Sequence, residues 1–294
     1  MQDFDSLKRS IDSTKDLESV VRTMKTLAAV SIRQYEQAVD SLADFSETVE
    51  LGLKMVLWDS QPKSNLQAMQ ADGTTGIIVF GSDQGMCGQF NEQISSFAWE
   101  YFSTKTSKNK DLAWMVIGSR ISGKLQDTGA DIDFEFSLPG SATGIASLVI
   151  DILARIDQWR REKRLGQIYI SYNQRISAST YKPHVLQLLP IDPVRFFRHK
   201  KRSWSSRTLP TFTMNRSVLL SRLIRQYLFV TLFQACAESL AGENASRIAS
   251  MQAAERNIKE RLVNLQSEYN QQRQTSITEE LLDVITGFEA LKDL

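Results

Sequence analysis

Cysteine, histidine and proline are all scarce in this chain of 294 residues, and each scarcity removes a class of protein. Two cysteines, Cys87 and Cys236, cannot build a disulfide framework. Two histidines, His184 and His199, argue against a histidine-rich metal centre. No apolar run reaches the ~18 residues expected of a membrane-spanning helix. The best stretch, residues 228–241, is short and contains Glu238. Residues 1–10 carry Asp3, Asp5, Lys8 and Arg9 and lack the apolar core of a secretory signal, so an intracellular chain is expected. Thirty-five basic and 34 acidic residues leave a net charge of +1, so no global field draws the chain to nucleic acid or lipid.

Proline and glycine are also unevenly spread. All six prolines and 11 of the 14 glycines lie between residues 62 and 210. These residues punctuate turns, so their near absence from residues 1–61 and 211–294 permits two very long helices around a compact domain. Three segments are therefore expected: an N-terminal coiled-coil helix over 1–61, a Rossmann-like domain over 62–210, and a C-terminal coiled-coil helix over 211–294.

The first segment carries a heptad seam. Val21, Met24, Ala28, Ser31, Tyr35, Ala38, Leu42, Phe45, Val49, Gly52 and Val56 follow steps of three and four without a break. Small residues at Ala28, Ser31, Ala38 and Gly52 thin this seam and let another helix approach closely. In the last segment Ile258, Leu262, Leu265 and Tyr269 keep the same rhythm, as do Ile277, Leu281, Val284, Phe288 and Leu291. Between Tyr269 and Ile277 the register slips across polar residues, a stutter that locally unwinds a supercoil. Eighty-four helical residues would span roughly 125 Å and the first 55 about 80 Å, so the two ends are expected to pair antiparallel as a rod.

The middle alternates strand and helix signals. Strands are expected at 75–80, 113–117, 167–172 and 184–191, with an edge strand at 131–136. Helices are expected at 91–101, capped by Asn91, at 119–126 and at 144–163. Interleaving of this kind implies a mostly parallel, doubly wound α/β sheet.

No catalytic constellation stands out. The loop SDQGMCG after Gly81 sits between strand and helix, where phosphate loops sit, yet it matches neither nucleotide fingerprint and no lysine follows it. A tight structural turn is the favoured reading. Cys87 has only distant histidines as partners, which favours a small buried cysteine over a nucleophile. One charge feature is unusual: no acid occurs between Asp192 and Glu238, while Arg195, Arg198, Lys200, Lys201, Arg202, Arg207, Arg216, Arg222 and Arg225 do. A nucleic-acid patch, an acidic protein partner, lipid headgroups and a solvated basic loop all fit this stretch. A coiled-coil adaptor and a nucleotide-dependent enzyme are the functional alternatives at this point.

Both ends of the chain resemble the γ subunit of F-type ATP synthases. Arg9, Ile11 and Ser13, then Met24-Lys25, Ala28-Ala29 and Ile32-Arg33, are similar to R-x-I-x-S … A-M-K-M-V-A-A-x-K-L-R. ENASRIASM at 243–251 resembles E-x-A-S-R-M-x-A-M, and Tyr269-Asn270, Arg273-Gln274, Ile277-Thr278 and Leu281 follow Y-N-x-x-R-Q-A-x-I-T-x-E-L. SDQGMCGQFN at 82–91 is similar to S-D-R-G-L-C-G-G-F-N, and LLP at 188–190 also matches. Gln84 replaces the usual Arg, Glu255-Arg256 the usual Thr-Asp, and Thr23 a common Ala. The basic stretch after Pro193 replaces a more mixed sequence, and no chloroplast-type cysteine insertion is present.

The resemblance implies a divergent bacterial or archaeal γ subunit, proton- or sodium-coupled, at the cytoplasmic face of the plasma membrane. It implies a non-catalytic shaft without cofactor or metal, inside a ring of three α and three β subunits. The ε subunit and the membrane c-ring would bind at its foot, with no nucleic acid partner and no membrane span. Met24, Lys25, Arg273, Gln274 and Thr278 would then contact β subunits, and Arg198, Lys200, Lys201 and Arg202 the c-ring.

Overall fold

A computed structural model describes residues 4–58, 73–105, 112–177, 180–191 and 211–292. In chain order the elements are helices α1 (Phe4–Ser41) and α2 (Ala43–Trp58), strand β1 (Thr74–Phe80), α3 (Phe90–Lys105), β2 (Leu112–Ile117), α4 (Ser119–Asp127) and β3 (Ile132–Phe136). A short 3-10 turn (Ala142–Gly144) leads into α5 (Ile145–Lys163), β4 (Leu165–Ser177), β5 (Thr180–Leu189) and the 77-residue α6 (Arg216–Lys292). The expected boundaries near 61 and 210 lie outside the described residues. The chain forms two compact units. One is α1 up to Ala28 with α6 from Ile248 onward; the other is Ala29–Arg247.

The second unit holds a five-stranded sheet of order β3-β2-β1-β4-β5. Strands β3, β2, β1 and β4 are parallel, and β5 returns antiparallel to β4. Both faces are covered, as parallel sheets require. Ile77, Val79, Trp114 and Val116 face α3 and α4 through Ile94, Phe102, Ile121 and Leu125. Ile78, Phe80, Met115 and Ile170 face α5 and the Leu228–Leu240 part of α6, with Tyr35 of α1 in the same core. The apolar stretch 228–241 is therefore core-facing. Beside it, Val49, Leu53 and Leu57 of α2 pack on Leu220, Leu223 and Tyr227 of α6. A Cβ on Gly52 would meet Leu223 Cδ2 at 3.1 Å, so the small residue sets how close α2 and α6 lie. Arg216 donates from Nε to the Val56 carbonyl at 3.1 Å, satisfying an open carbonyl at the end of α2.

Four expectations change. The first helix is broken at Leu42. Ser41 Oγ donates to the Ala38 carbonyl at 2.8 Å and Leu42 N to Val39 O at 3.1 Å. A side-chain hydroxyl competing for a helix carbonyl, with a tightened turn beside it, ends α1 without proline or glycine. Of the heptad positions, Val21, Ala28, Tyr35, Val49 and Val56 are buried, but Phe45 is exposed just past the break. Asn91 does not cap α3: it lies inside the first turn, and its amide is spent on Ser82. Strand β4 runs on to Ser177 and β5 starts at Thr180, because backbone pairing extends into a polar stretch without apolar alternation.

In the helical unit Ile11, Val21 and Ala28 of α1 and Met251 and Leu265 of α6 are buried. The Phe4 and Tyr269 rings lie 4.4 Å apart. Beyond Tyr269 the second seam is not buried: Ile277, Leu281 and Val284 are exposed, and the side chains of Phe288 and Leu291 lie outside those described. Apolar residues alternate there as in a coiled coil, with no described helix beside them.

Gly118 supplies a direct test of the sheet unit. It sits at φ 115° between β2 and α4, and a Cβ would lie 2.8 Å from Ser82 backbone atoms. Gly118→Ala should destabilise the fold by roughly 2 kcal/mol or more in chemical denaturation. Gly123→Ala, at an open helical position in the same unit, should cost no stability.

Candidate functional site

The loop after β1 and the ENASRIASM motif meet. Ser246 Oγ of α6 donates to the Cys87 carbonyl at 2.7 Å, and Arg247 Nη2 donates to the Gly85 carbonyl at 3.4 Å. Arg247 also pairs with Glu243 one turn earlier and donates to Asn244 Oδ1 at 3.1 Å. Glu243 and Arg247 are both buried, so their charges compensate each other away from water. Burial pushes the Glu243 carboxyl up, and Arg247 partly offsets this. Burial, with the Glu243 charge adding to it, likewise raises the Tyr35 hydroxyl beside this cluster.

Within the loop, Asn91 Oδ1 accepts from Ser82 N at 3.0 Å and Asn91 Nδ2 donates to Ser82 Oγ at 2.7 Å. Asp83 accepts from the backbone N–H groups of Ser119 and Leu138, both at 2.7 Å. Met86 and Gly88 take left-handed backbone at φ 61° and 58°. The loop thus spends its carbonyls on α6 and its acid on neighbouring turns. This is a structural turn that anchors α6, and its bonding joins two of the motifs that carry the resemblance.

The residues expected to face β subunits lie in the helical unit, in two groups. Met24 and Lys25 are half-buried on α1. Lys25 Nζ donates across to Glu255 Oε2 on α6 at 2.6 Å, and Lys259 reaches Glu255 Oε1 at 2.9 Å. The hydrogen bonds from Lys25 and Lys259 hold the Glu255 carboxyl down at about 2. Arg273, Gln274 and Thr278 are exposed on α6. Thr278 Oγ1 folds back on the Gln274 carbonyl at 2.8 Å. From Glu255 to Arg273 the helix advances about 27 Å, so these are two contact levels and not one cluster. Arg198, Lys200, Lys201 and Arg202 lie outside the described residues, as do Arg195 and Arg207. Of the remaining basic residues, Arg216 bonds inward to Val56, while Arg222 and Arg225 are exposed.

Sequence alone marks Glu255 only as a departure from the usual Thr-Asp. Its position four residues after Met251, beside the seam, is the one available signal. Its partner across 230 residues is not readable without the register of α1 against α6. Among the described residues no helix is long and apolar enough to cross a membrane.

The family model described as ATP synthase matches residues 3–291. The ATP synthase gamma chain of Histophilus somni (strain 2336) is 26% identical over 291 residues, covering 97% of this chain and 98% of that protein. Two structures of the Euglena gracilis mitochondrial ATP synthase share the fold. A chain in the OSCP/F1/c-ring structure, rotational state 3, matches with a TM-score of 0.68 at 15% identity, covering 98% of this chain and 94% of that one. A chain in the rotor structure, rotational state 1, matches with a TM-score of 0.65 at 14% identity, covering 93% and 98%.

The loop makes a chemical prediction. Burial raises both thiols, Cys87 with a partial offset from its Ser82 hydrogen bond and Cys236 more strongly. Both are buried, and the thiolate is the reactive form. Neither should alkylate with iodoacetamide at pH 8 in the folded protein, and both should do so in denaturant, read by mass spectrometry.

Proposed function

This chain belongs to the ATP synthase family, and on that premise we propose that it is the γ subunit, the central rotor shaft of a rotary F-type enzyme. The observation that carries the reading is a family match over 3–291 on a chain whose two ends pair as long helices and whose sheet lies between them in sequence. The protein is a non-catalytic, peripheral part of a membrane-bound complex, working at the cytoplasmic face. Ion flow through the c-ring turns the shaft, and the turn is passed to three α and three β subunits. The β subunits carry the catalysis, and the ε subunit joins at the sheet unit.

The shaft works by differential contact. A ring of three like sites changes state in sequence only if the shaft touches each site differently, because a ligand shifts an equilibrium only by its difference in affinity between states. An asymmetric pair of helices supplies that difference. Leu17, Val20 and Leu27 on α1 and Ile277, Leu281 and Val284 on α6 are exposed apolar side chains that the ring would enclose. Met24 and Lys25 form one contact level for β, and Arg273, Gln274 and Thr278 the other. Arg273 can take a carboxylate by a two-pronged hydrogen bond. Arg198, Lys200, Lys201 and Arg202 serve the c-ring.

Two measurements test these contacts in the reconstituted complex. Replacing Arg273 and Gln274 with Ala keeps good helix formers in α6. The double variant should bind the α/β ring less tightly or lower the ion transport obtained per ATP hydrolysed; unchanged assembly and transport count against the assignment. Reversing Arg198, Lys200, Lys201 and Arg202 to Glu should reduce membrane retention and leave α/β assembly intact. Added salt should loosen the wild type too, since exposed charges are screened over about 8–10 Å. Identical retention curves over the salt series would remove the c-ring role from this stretch.

A further inference from the structure

Two peptide links join the two units, one in α1 after Ala28 and one in α6 before Ile248. These two helices carry the chain from the sheet-bearing unit into the helical unit. Two helices carry torque as one body only if they cannot slide past each other. The seam there is thin. Ala28 is the buried α1 residue nearest the boundary, and Val21 the next one back. Small apolar contacts resist separation, but they resist sliding by one residue less well, because they are not directional.

A directional contact stands close to that boundary. Lys25 of α1 donates to Glu255 of α6 at 2.6 Å. The side chains are 31% and 15% exposed, so water screens the pair less than a fully exposed one. Lys259 bonds the other oxygen of the same carboxylate at 2.9 Å. Glu255 is thus fixed from its own helix by Lys259 and reaches across to Lys25. Slippage of either helix by one residue, about 1.5 Å, breaks the short cross-helix bond and leaves the bond within α6 intact.

We propose that Glu255 is a positioning residue, a torque tie that locks α1 to α6 through Lys25 within the helical unit. Its mechanical role rests on the reading of this chain as a rotor shaft; its structural role does not. Lys25 then has two parts: its ammonium braces the shaft through Glu255, and its partly exposed stem stays with Met24 at the ring-facing level.

The test has two arms. In the first, spin labels are placed on the isolated full chain at exposed Ser19 of α1 and Asn257 of α6, through S19C/N257C, and pulsed dipolar spectroscopy reads their distance distribution. The native thiols are buried and stay unlabelled. Glu255→Gln should broaden the distribution or split it, with the tied population down by up to about five-fold. The full reversal K25E/E255K/K259E should restore the narrow distribution; Lys259 is included because a lysine introduced at position 255 would otherwise face it one turn away. In the second arm the complete complex is reconstituted in vesicles. E255Q should hydrolyse ATP at near the wild-type rate but transport fewer ions per ATP, and the triple reversal should recover the ratio. An unchanged distribution in E255Q overturns the tie. A broadened distribution with unchanged transport overturns its role in torque. A wild-type chain that fails to join the α/β ring overturns the shaft reading instead, and the first arm still decides the tie.

Discussion

The buried pair of Glu243 and Arg247 fixes α6 to the loop after β1 in the sheet-bearing unit. Two opposite charges out of water are tolerated only when each is compensated, and removing one partner of such a pair typically costs about 3–5 kcal/mol. Arg247 meets this demand by bonding Glu243 and Asn244 on its own helix and the Gly85 carbonyl on the loop. Ser246 adds a bond to the Cys87 carbonyl. The loop can offer those carbonyls only because Asn91 and Asp83 hold its backbone from behind. A helix of 77 residues is thereby fixed at one point along its length, next to the sheet core. The same helix goes on, without a break, into the paired-helix unit.

That continuity is what makes the fold suited to transmission. The sheet core anchors α6 over Leu228–Leu240, and the ion pair anchors the next turns. Among the described residues, the helical unit pairs α6 with α1, and past Tyr269 the seam residues Ile277, Leu281 and Val284 of α6 are exposed. Anchorage therefore declines along α6 as apolar exposure rises. A shaft needs this gradient: firm attachment where it is driven, and uncovered apolar side chains where it must touch a surrounding ring.

Much of this was legible from residues. The lack of proline and glycine at both ends announced the long helices, and the three-four rhythm placed Val21, Ala28, Tyr35, Val49 and Val56 inside. Uninterrupted apolar runs gave β1 and β2, because strands covered on both faces need no polar alternation. What sequence could not show follows from bonds that ignore periodicity. The break at Leu42 depends on a serine hydroxyl taking a carbonyl. Asn91 looks like a cap, yet tertiary contact with Ser82 claims its amide. Lys25 reads as a free cation until the register of α6 sets Glu255 against it. The exposed seam beyond Tyr269 shows the limit of heptad reading: the rhythm marks a face that gets covered, but it does not say by which chain.

The central claim is that this chain turns as a shaft, and direct observation of rotation tests it most closely. The α/β ring would be fixed to a surface through its β subunits, with this chain carrying a probe on exposed Lys124 of α4. With ATP supplied, the account predicts stepwise rotation of the probe in one direction, stopping when nucleotide is removed. A ring that binds this chain and hydrolyses ATP steadily while the probe stays still would contradict it.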